Sequence, residues 1–169
     1  MQAEQIVYRD LESSLGKLVI GATSRGCCLL EYQDWGGLIK IQHRITKQYR
    51  LKMTRGTNAF LDQLELELDQ YFKGLRQNFS VPLDVRGTPF QRAAWEQLLN
   101  IPYGETRTYG EIARLVGKPL AVRAIGRANG DNPLAVVIPC HRVIQHDGKL
   151  KGYGGGLWRK EYLLALENR

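Results

Sequence analysis

Short runs of apolar residues, separated by turn-forming residues, open the chain and predict a β-meander. The runs are Ile6–Tyr8, Lys17–Ile20 and Cys28–Tyr32, and the segments between them are Ser13–Gly16 and Ser24–Gly26. Serine and glycine favour tight turns, whereas β-branched and aromatic residues favour strands. We therefore expect three strands that are consecutive in the chain and lie next to one another.

An apolar pattern with helical spacing follows the predicted strands. Its members recur every three or four residues: Phe60, Leu61, Leu64, Leu68, Tyr71, Phe72 and Leu75. Thr57 or Asn58 precedes the pattern and can cap the start of a helix, and Gly74 lies near its end. The first half of the chain therefore predicts strands followed by a helix.

The pattern becomes irregular over residues 76–87, a segment that contains Pro82 and Gly87. Proline and glycine interrupt regular structure, so we place a domain boundary here. The boundary gives an N-terminal α/β domain over residues 1–80, expected to provide structural support, and a C-terminal domain over residues 87–169.

Two capping boxes mark helix starts in the second half of the chain. Thr88–Gln91 is the first, with proline at the first helical position, and its helix should run to about Asn100. Thr108–Glu111 is the second, and its short helix should end at Gly117. Pro119 can start a further helix within two residues, which predicts a helix-turn-helix.

The remaining segments complete a winged version of that motif. Asn129–Pro133 is a sharp loop, and the apolar run Leu134–Ile138 predicts a buried strand. Val143–Leu150 has a central Asp-Gly and predicts a hairpin that would form the wing. Gly154–Gly156 predicts a loop, and Leu157–Leu166 predicts a closing helix. The chain as a whole is therefore expected to be α/β (α+β), with a C-terminal winged helix-turn-helix domain.

Composition and charge narrow the class of protein. The chain has 169 residues, of which 43% are hydrophobic and 24% charged, and it has no apolar run of the roughly 20 residues that a membrane span needs. Its start lacks a signal-peptide pattern, so we expect a cytoplasmic protein without a membrane partner.

The net charge is +7, and residues 87–169 hold 12 basic and 7 acidic residues. This excess suits an anionic partner such as nucleic acid, although a solubilising surface is the alternative.

A second basic segment lies in the first half of the chain. Residues 40–55 carry six basic residues and no acidic one. Such a segment could contact DNA phosphates, but a solvated helix or loop face is the interpretation that charge alone favours. The basic residues of this segment therefore do not by themselves indicate a function.

The three cysteines argue against a disulfide scaffold and a metal site. Their number is odd, and Cys27 and Cys28 lie in an apolar run that is typical of buried strand residues. The three histidines, His43, His141 and His146, have no metal-ligand spacing. We expect no metal and no cofactor, with carboxylate ligands left open.

The third cysteine lies beside two basic residues, in Cys140-His141-Arg142. A thiolate is a strong nucleophile for saturated carbon, and a neighbouring base or cation is needed to form it at neutral pH. A buried structural cysteine is the alternative. Neighbours in a regular strand point to opposite faces, so joint action of Cys140 and His141 requires a bend, which Pro139 makes plausible.

Pro139–Val143 resembles the active-site signature of the O6-alkylguanine-DNA alkyltransferases. Other segments match this family in order and spacing: Thr88–Gln91, Pro102–Gly104, Tyr109–Gly110, Arg123–Gly126, Asn132–Pro133, Gly152–Tyr153 and Lys160–Glu161. The resemblance is close over residues 87–169. The N-terminal half resembles the family's ribonuclease-H-like domain only in length and in its order of strands followed by a helix.

The resemblance implies direct DNA repair. Cys140 would irreversibly take the alkyl (methyl) group from O6-alkylguanine, and from O4-alkylthymine, in double-stranded DNA. The damaged nucleotide would be flipped out of the duplex after minor-groove binding, because a thiolate cannot reach O6 of a stacked, paired guanine. The protein would act once, as a monomer, with cooperative binding on DNA left open.

The resemblance also implies a role for each matching catalytic residue. His141 would act through a bridging water as the base that ionises the thiol and lowers its pKa, and Glu167 would orient and charge-stabilise His141. Asn132 would brace the turn between the recognition helix and the nucleophile. Tyr109 would donate its phenolic proton to N3 of the departing guanine.

The damaged base and the duplex would be held by further residues. The carbonyls of Cys140 and Val143 would accept from the exocyclic amine of guanine, and Tyr153 and Gly154 would close over the base. Arg123, mid-way along the second helix of the helix-turn-helix, would fill the gap left in the stack. That helix has a small-residue face that would let it lie close in the minor groove but would also suit ordinary close helix packing: Ala121, Ala124 and Ala128.

Three other classes of protein are weighed against this one. An alkyltransferase-like protein binds the lesion but has another residue, commonly tryptophan, at the position of Cys140. A winged-helix transcription regulator would explain the basic second half but not the Pro139–Val143 signature. A Cys-His hydrolase normally has its cysteine and histidine far apart in sequence and needs an oxyanion hole, and the sequence indicates neither.

Overall fold

The fold was analysed in a computed structural model that describes residues 3–169. The chain divides into two compact units at the bond between Arg86 and Gly87. Within the described residues, no helix is long and apolar enough to cross a membrane. The same part of the chain has no group of three or more His, Cys, Asp or Glu side chains placed to hold a metal ion.

A four-stranded sheet forms the centre of the first unit. Strands β1 (Ile6–Ser13), β2 (Gly16–Ala22) and β3 (Cys27–Tyr32) are antiparallel neighbours, which confirms the predicted meander. A short strand β4 (Met53–Arg55) pairs in parallel with β1, so the order is β3-β2-β1-β4. Both Cys27 and Cys28 are buried in β3.

Two helices accompany this sheet. Helix α2 (Ala59–Phe72) is the predicted one, and the side chain of Asn58 caps it by accepting from the backbone N–H of Leu61. Helix α1 (Gly37–Tyr49) was not predicted. Its buried side chains Ile41, Ile45 and Tyr49 belong to a core cluster with residues of the strands, and its basic residues lie mostly on the exposed side. The basic segment is therefore largely the outer face of an amphipathic helix.

Helices dominate the second unit. They are α3 (Pro89–Leu99), α4 (Tyr109–Leu115), α5 (Val122–Gly130) and α6 (Leu157–Glu167). Both predicted capping boxes are present, because each threonine caps its helix and the side chain three residues later bonds back to the threonine N–H. Helices α4 and α5 form the predicted helix-turn-helix. Helix α5 begins at Val122 rather than at Pro119, which lies in the intervening turn.

The predicted strand Leu134–Ile138 is wrong. This segment is buried but folds as consecutive turns, with the N–H of Ile138 donating to the carbonyl of Leu134 at 2.9 Å. Val136 has a φ of 70°, a left-handed conformation that is incompatible with a strand. The apolar composition reflects burial of the segment and not its pairing in a sheet.

The predicted wing is only partly a hairpin. Gln145 and Lys149 approach each other across the Asp-Gly turn, where the Gln145 N–H donates to the Lys149 carbonyl at 3.3 Å. No second strand follows within the described chain. Instead, β6 (Val143–Ile144) pairs in parallel with β5 (Arg107–Thr108), which leads into α4. The segment after Arg142 is thereby fixed to the start of the helix-turn-helix.

Candidate active site

Cys140 opens a single 3-10 turn that ends at Arg142. The N–H of Arg142 donates to the carbonyl of Pro139 at 3.0 Å, and the N–H of Cys140 donates to that of Ile138 at 2.7 Å. The backbone therefore bends at the nucleophile, as joint action of Cys140 and His141 requires. Only 5% of Cys140 is exposed.

His141 is fully buried and contacts Glu167. Its Nε2 lies 2.8 Å from Oε1 of Glu167, the last residue of α6. An ionised carboxylate can only accept, so Nε2 carries the proton in a neutral imidazole and Nδ1 keeps its lone pair. Nδ1 is buried and has no hydrogen-bond partner among the described residues. The geometry thus leaves one basic nitrogen available for a proton.

Burial keeps this histidine neutral, and Arg142 compensates the carboxylate beside it. Its guanidinium donates to both Glu167 oxygens, from Nε at 2.9 Å and from Nη2 at 2.8 Å. Burial lowers the pKa of His141 below its ordinary value, and this effect outweighs the opposing influence of the Glu167 carboxylate. Because the arginine compensates the carboxylate, the imidazole need not be protonated to satisfy it. Sequence reasoning gave Arg142 only a general positive charge and missed this clamp.

The turn after α3 holds the same carboxylate from the other side. Arg142 Nη1 donates to the carbonyl of Ile101 at 2.7 Å, and the N–H of Gly104 donates to Glu167 Oε2 at 3.4 Å. Gly104 has a φ of +79°, and a Cβ there would lie 3.1 Å from the Glu167 carbonyl oxygen. Glycine is therefore needed at position 104, both for the backbone angle and for space.

Two asparagines fix the loop that precedes the nucleophile. Asn132 Nδ2 donates to the carbonyl of Ile138 at 2.7 Å, and its Oδ1 accepts from the N–H of Leu134 at 2.9 Å. Asn129, at the end of α5, donates from Nδ2 to the carbonyl of Cys140 at 3.1 Å. The contacts of Asn132 agree with a bracing role, whereas Asn129 was not singled out from the sequence.

Lys160, like Asn129, was given no role from the sequence. It is fully buried, and its Nζ donates to the carbonyls of Val143 at 2.6 Å and Lys151 at 3.2 Å. Burial lowers its pKa, and the neighbouring Cys140 opposes that change. Its position in α6 carried a signal, because Lys160 has helical spacing with the buried residues Leu163 and Glu167.

The predicted lowering of the Cys140 pKa is wrong for the protein without substrate. Burial raises the pKa of Cys140, because it removes the thiolate from water. A hydrogen bond from Asn132 and the charge of Lys160 act in the opposite direction without overcoming burial. The resting nucleophile is therefore a thiol, and its proton must leave during the reaction.

Tyr109 donates to the carbonyl of Lys151, which also accepts from Lys160 and lies in the loop before α6. Tyr109 is the first residue of α4, and its hydroxyl donates to the carbonyl of Lys151 at 3.3 Å. Burial, followed by the neighbouring Cys140, raises the pKa of Tyr109, so its phenol stays protonated. Tyr153 is buried and Gly154 is half-buried. The loop they occupy is closed by a bond from the Gly156 N–H to the Tyr153 carbonyl at 2.9 Å.

Both predicted carbonyl acceptors already accept hydrogen bonds within the protein. The Cys140 carbonyl accepts from Asn129 and from the N–H of Val143. The Val143 carbonyl accepts from Lys160, in a strand that pairs with β5.

Helix α5 presents Arg123 to solvent. Arg123 is the second residue of the helix and not mid-helix as predicted. Ala121 and Ala124 are half-buried, in keeping with an accessible face. Ala128 does not lie on that accessible face and instead follows the alternative of close helix packing, because it is 2% exposed and its carbonyl accepts from Trp95 Nε1 at 2.7 Å. It packs α5 onto α3.

Gly126 also lies on α5, where a helical glycine costs about 1 kcal/mol relative to alanine. A Cβ at this position would meet no protein atom within 4 Å. Packing of the described chain therefore gives no reason for the glycine. Sequence reasoning included it in a motif without giving it a role.

Comparison with known families matches both units of the chain. Residues 6–85 match the family of the 6-O-methylguanine DNA methyltransferase, ribonuclease-like domain, and residues 89–169 match its DNA binding domain. The chain belongs to this family. The catalytic candidates Tyr109, Asn132, Cys140, His141 and Glu167 all fall in the matched DNA binding domain of the methyltransferase family.

Individual relatives agree with the family match. The methylated-DNA–protein-cysteine methyltransferase of Mycobacterium leprae is 58% identical over 159 residues, covering 94% of this chain and 90% of the relative. The protein of the same name from Methanosarcina acetivorans is 53% identical, covering 95% and 97%. The crystal structure of Mycobacterium tuberculosis OGT in complex with DNA matches with a TM-score of 0.81 at 42% identity, covering 96% and 92%.

Proposed function

We propose that this protein repairs DNA by transferring the alkyl group of O6-alkylguanine, in double-stranded DNA, to Cys140. The observation that carries the proposal is the buried arrangement around the cysteine. The backbone bends at Cys140, Glu167 orients the imidazole of His141, and Nδ1 of that imidazole is buried without a hydrogen-bond partner among the described residues. The relatives named as methylated-DNA–protein-cysteine methyltransferases support this assignment.

The proposed transfer balances protons and electrons without a cofactor. The Cys140 proton passes through a bridging water to Nδ1 of His141, and the thiolate attacks the alkyl carbon. The bond between that carbon and O6 breaks, and its electron pair leaves with the guanine. Tyr109 donates its phenolic proton to N3, which prevents departure of an anionic base, and the phenolate then recovers, through water, the proton that His141 took from Cys140. Because a thioether is a poor leaving group, each molecule reacts once.

Base flipping is the second part of the proposal. Helix α5 would lie in the minor groove, with Arg123 filling the gap in the stack and Ala121 and Ala124 allowing close approach. Gly126 supports this placement, because a glycine without a packing reason in the protein fits a partner that approaches the helix closely. Tyr153 and Gly154 would cover the extruded base. The match to a relative solved in complex with DNA is consistent with this arrangement.

The transfer is tested by mass spectrometry after incubation with excess duplex carrying O6-methylguanine. One added methyl group is expected, located on Cys140, and O4-methylthymine duplex should give the same product. Cys140→Ala should abolish transfer and retain DNA binding, whereas the matched control Cys27→Ala should still accept one methyl group. Several turnovers per chain, or a methyl group elsewhere, would contradict the proposal.

Flipping is tested with Arg123→Ala. We expect a strong decrease, of about 100-fold, in the single-turnover repair rate of duplex at saturating protein, because unstacking costs a few kcal/mol. Reaction with free O6-benzylguanine should be nearly unchanged, since a free base has no stack to leave. If saturated duplex is repaired at the wild-type rate, Arg123 has only a docking role.

The proposal also places the protein in the cytoplasm, as a monomer on DNA.

A further inference from the structure

An exposed leucine precedes the helix that carries Arg123. Leu120 is 98% exposed, the highest value among the exposed large hydrophobic residues of the described chain. Leu115 and Val122, at 58% and 42%, lie within the same eight residues. Isolated exposed apolar residues are ordinary on protein surfaces, but a cluster on one short segment indicates a contact surface. The leucine side chain makes no evident contribution to the fold.

The charges around Leu120 indicate what kind of partner fits. Residues 114–127 contain four basic residues and no acidic one. Of these, Lys118, Arg123 and Arg127 are exposed and form no ion pair with any acidic side chain in the described part of the chain. An apolar side chain surrounded by uncompensated cations suits a polyanion that has apolar surface between its charges. The sugar edges of DNA, which lie between phosphates, have this property.

The turn before α5 presents the leucine in a fixed position. Pro119 restricts the backbone, and the N–H of Ala121 donates to the carbonyl of Lys118 at 2.9 Å, so Lys118–Ala121 forms a β-turn. Leu120 occupies the third position of this turn, three residues before Arg123. A side chain held on a rigid turn loses little backbone entropy when it is buried by a partner.

We propose that Leu120 is a non-ionic DNA contact that packs against the sugar edges of the minor groove beside the entry point of Arg123. The inference rests on the proposed function, because it takes α5 as the helix that lies in the groove. It assigns to this turn a contribution to affinity that does not depend on charge. Burying an apolar side chain releases no counterions, whereas neutralising a phosphate does.

The test measures the affinity of the full-length protein for an undamaged duplex over a range of salt concentrations. Leu120→Ser should bind about tenfold more weakly, with the slope of log affinity against log salt unchanged. Leu120→Met should restore most of the affinity, because it restores apolar area. The matched control Leu75→Ser, at a residue that is 77% exposed in the other unit, should bind as the wild type does.

Arg127→Gln gives the opposite signature for comparison. Arg127 is an exposed cation without an ion pair in the described chain, and if it contacts a phosphate its loss should reduce the salt slope by about one. The melting temperature of Leu120→Ser should match the wild type, which separates a lost contact from a misfolded turn. Wild-type affinity for Leu120→Ser, or a reduced salt slope, would overturn the proposal. So would loss of self-association in light scattering without loss of DNA affinity, because the surface would then bind a second copy.

The result is separable from the proposed repair function. Each variant is also reacted with free O6-benzylguanine, and Leu120→Ser should be alkylated at the wild-type rate. If the wild type accepts no alkyl group from duplex or from the free base, the repair function fails. If the wild type is alkylated normally and Leu120→Ser binds duplex normally, only the assignment of Leu120 fails.

Discussion

The sheet of the first unit and the turn of the second unit both contain buried free cysteines, but in different surroundings. Cys27 and Cys28 are fully buried in β3, and Cys140 is 5% exposed. Burial raises the pKa of each of the three thiols and is the largest cause in every case. Burial therefore does not distinguish the proposed nucleophile from the two cysteines of the sheet.

The neighbouring groups do distinguish them. The carboxylate of Glu67 adds to the effect of burial at Cys27, whose pKa rises to about 12, and Asp84 is the second-largest cause at Cys28. Around Cys140, the next influences are a hydrogen bond from Asn132 and the charge of Lys160, and both favour the thiolate. Cys140 therefore differs from the two cysteines of the sheet in having neighbours that stabilise a thiolate rather than carboxylates that oppose it.

The largest expected effect on the reactivity of Cys140 comes from a change at the base that removes its proton. Glu167→Gln should slow methyl transfer by about 100-fold, because it removes the negative charge beside His141 and introduces an amide N–H that can donate to Nε2, which favours the wrong tautomer. The same change should shift the pH profile of iodoacetamide labelling of Cys140. The exposed Glu161→Gln, on the same helix, is the matched control and should leave both measurements unchanged.

Stability must be followed in that experiment. Glu167→Gln leaves Arg142 buried without its carboxylate, and breaking such a pair typically costs about 3–5 kcal/mol. Rates should therefore be compared at a temperature where circular dichroism shows both variants folded. An unchanged labelling profile in the folded variant would show that Glu167 does not orient the base.

Removing the cation should make Cys140 more like the cysteines of the sheet. Lys160→Met should slow labelling of Cys140 by iodoacetamide at neutral pH by about tenfold, since a neighbouring positive charge stabilises a thiolate. Lys160→Arg should retain part of the rate. Lys149→Met, at an exposed lysine of the turn after β6, is the control. If Lys160→Met is labelled as fast as the wild type, the contrast in neighbouring charge is not the cause of reactivity.

The smallest expected effect is on stability against pH. Burial lowers the pKa of His141 below its ordinary value near 6.5, so the unfolded chain takes up a proton there that the folded protein does not. The free energy of unfolding should therefore fall below pH 6.5, by about 1 kcal/mol between pH 6.5 and 5.5. Denaturant titrations should show this loss in the wild type and less of it in His141→Gln.

The control for the pH experiment is His146→Gln, because His146 is exposed. It should show the same loss of stability between pH 6.5 and 5.5 as the wild type. Equal pH dependence in His141→Gln and the wild type would mean that His141 does not remain neutral on folding, and the assignment of Nδ1 as the available base would then fail.

Local signals in the sequence predicted local structure correctly. Thr88 and Thr108 cap helices through contacts within three residues, so the residues that form each cap are adjacent in the chain. Helix α1 was missed because it begins at Gly37 without a side-chain cap and carries many basic residues. The spacing of Ile41, Ile45 and Tyr49 could have revealed it.

The errors arose where distant contacts decide the structure. The run Leu134–Ile138 has strand-forming composition, but Asn132 ties it into turns by bonding to both of its ends. Arg142 could be identified as a clamp only when Glu167 and Ile101 were brought beside it. The residue types of the catalytic group were readable from the sequence, whereas their partners required the fold.

The bond between Trp95 and helix α5 gives this protein a built-in optical reporter. Trp95 is 3% exposed, whereas the other two tryptophans, Trp35 and Trp158, are 56% and 53% exposed. Replacing these two with phenylalanine would leave a single buried indole whose N–H donates to the carbonyl of Ala128. Its emission wavelength and lifetime depend on that bond and on exclusion of water. Stopped-flow fluorescence could therefore follow displacement of α5 on duplex DNA in real time, before any covalent product has formed.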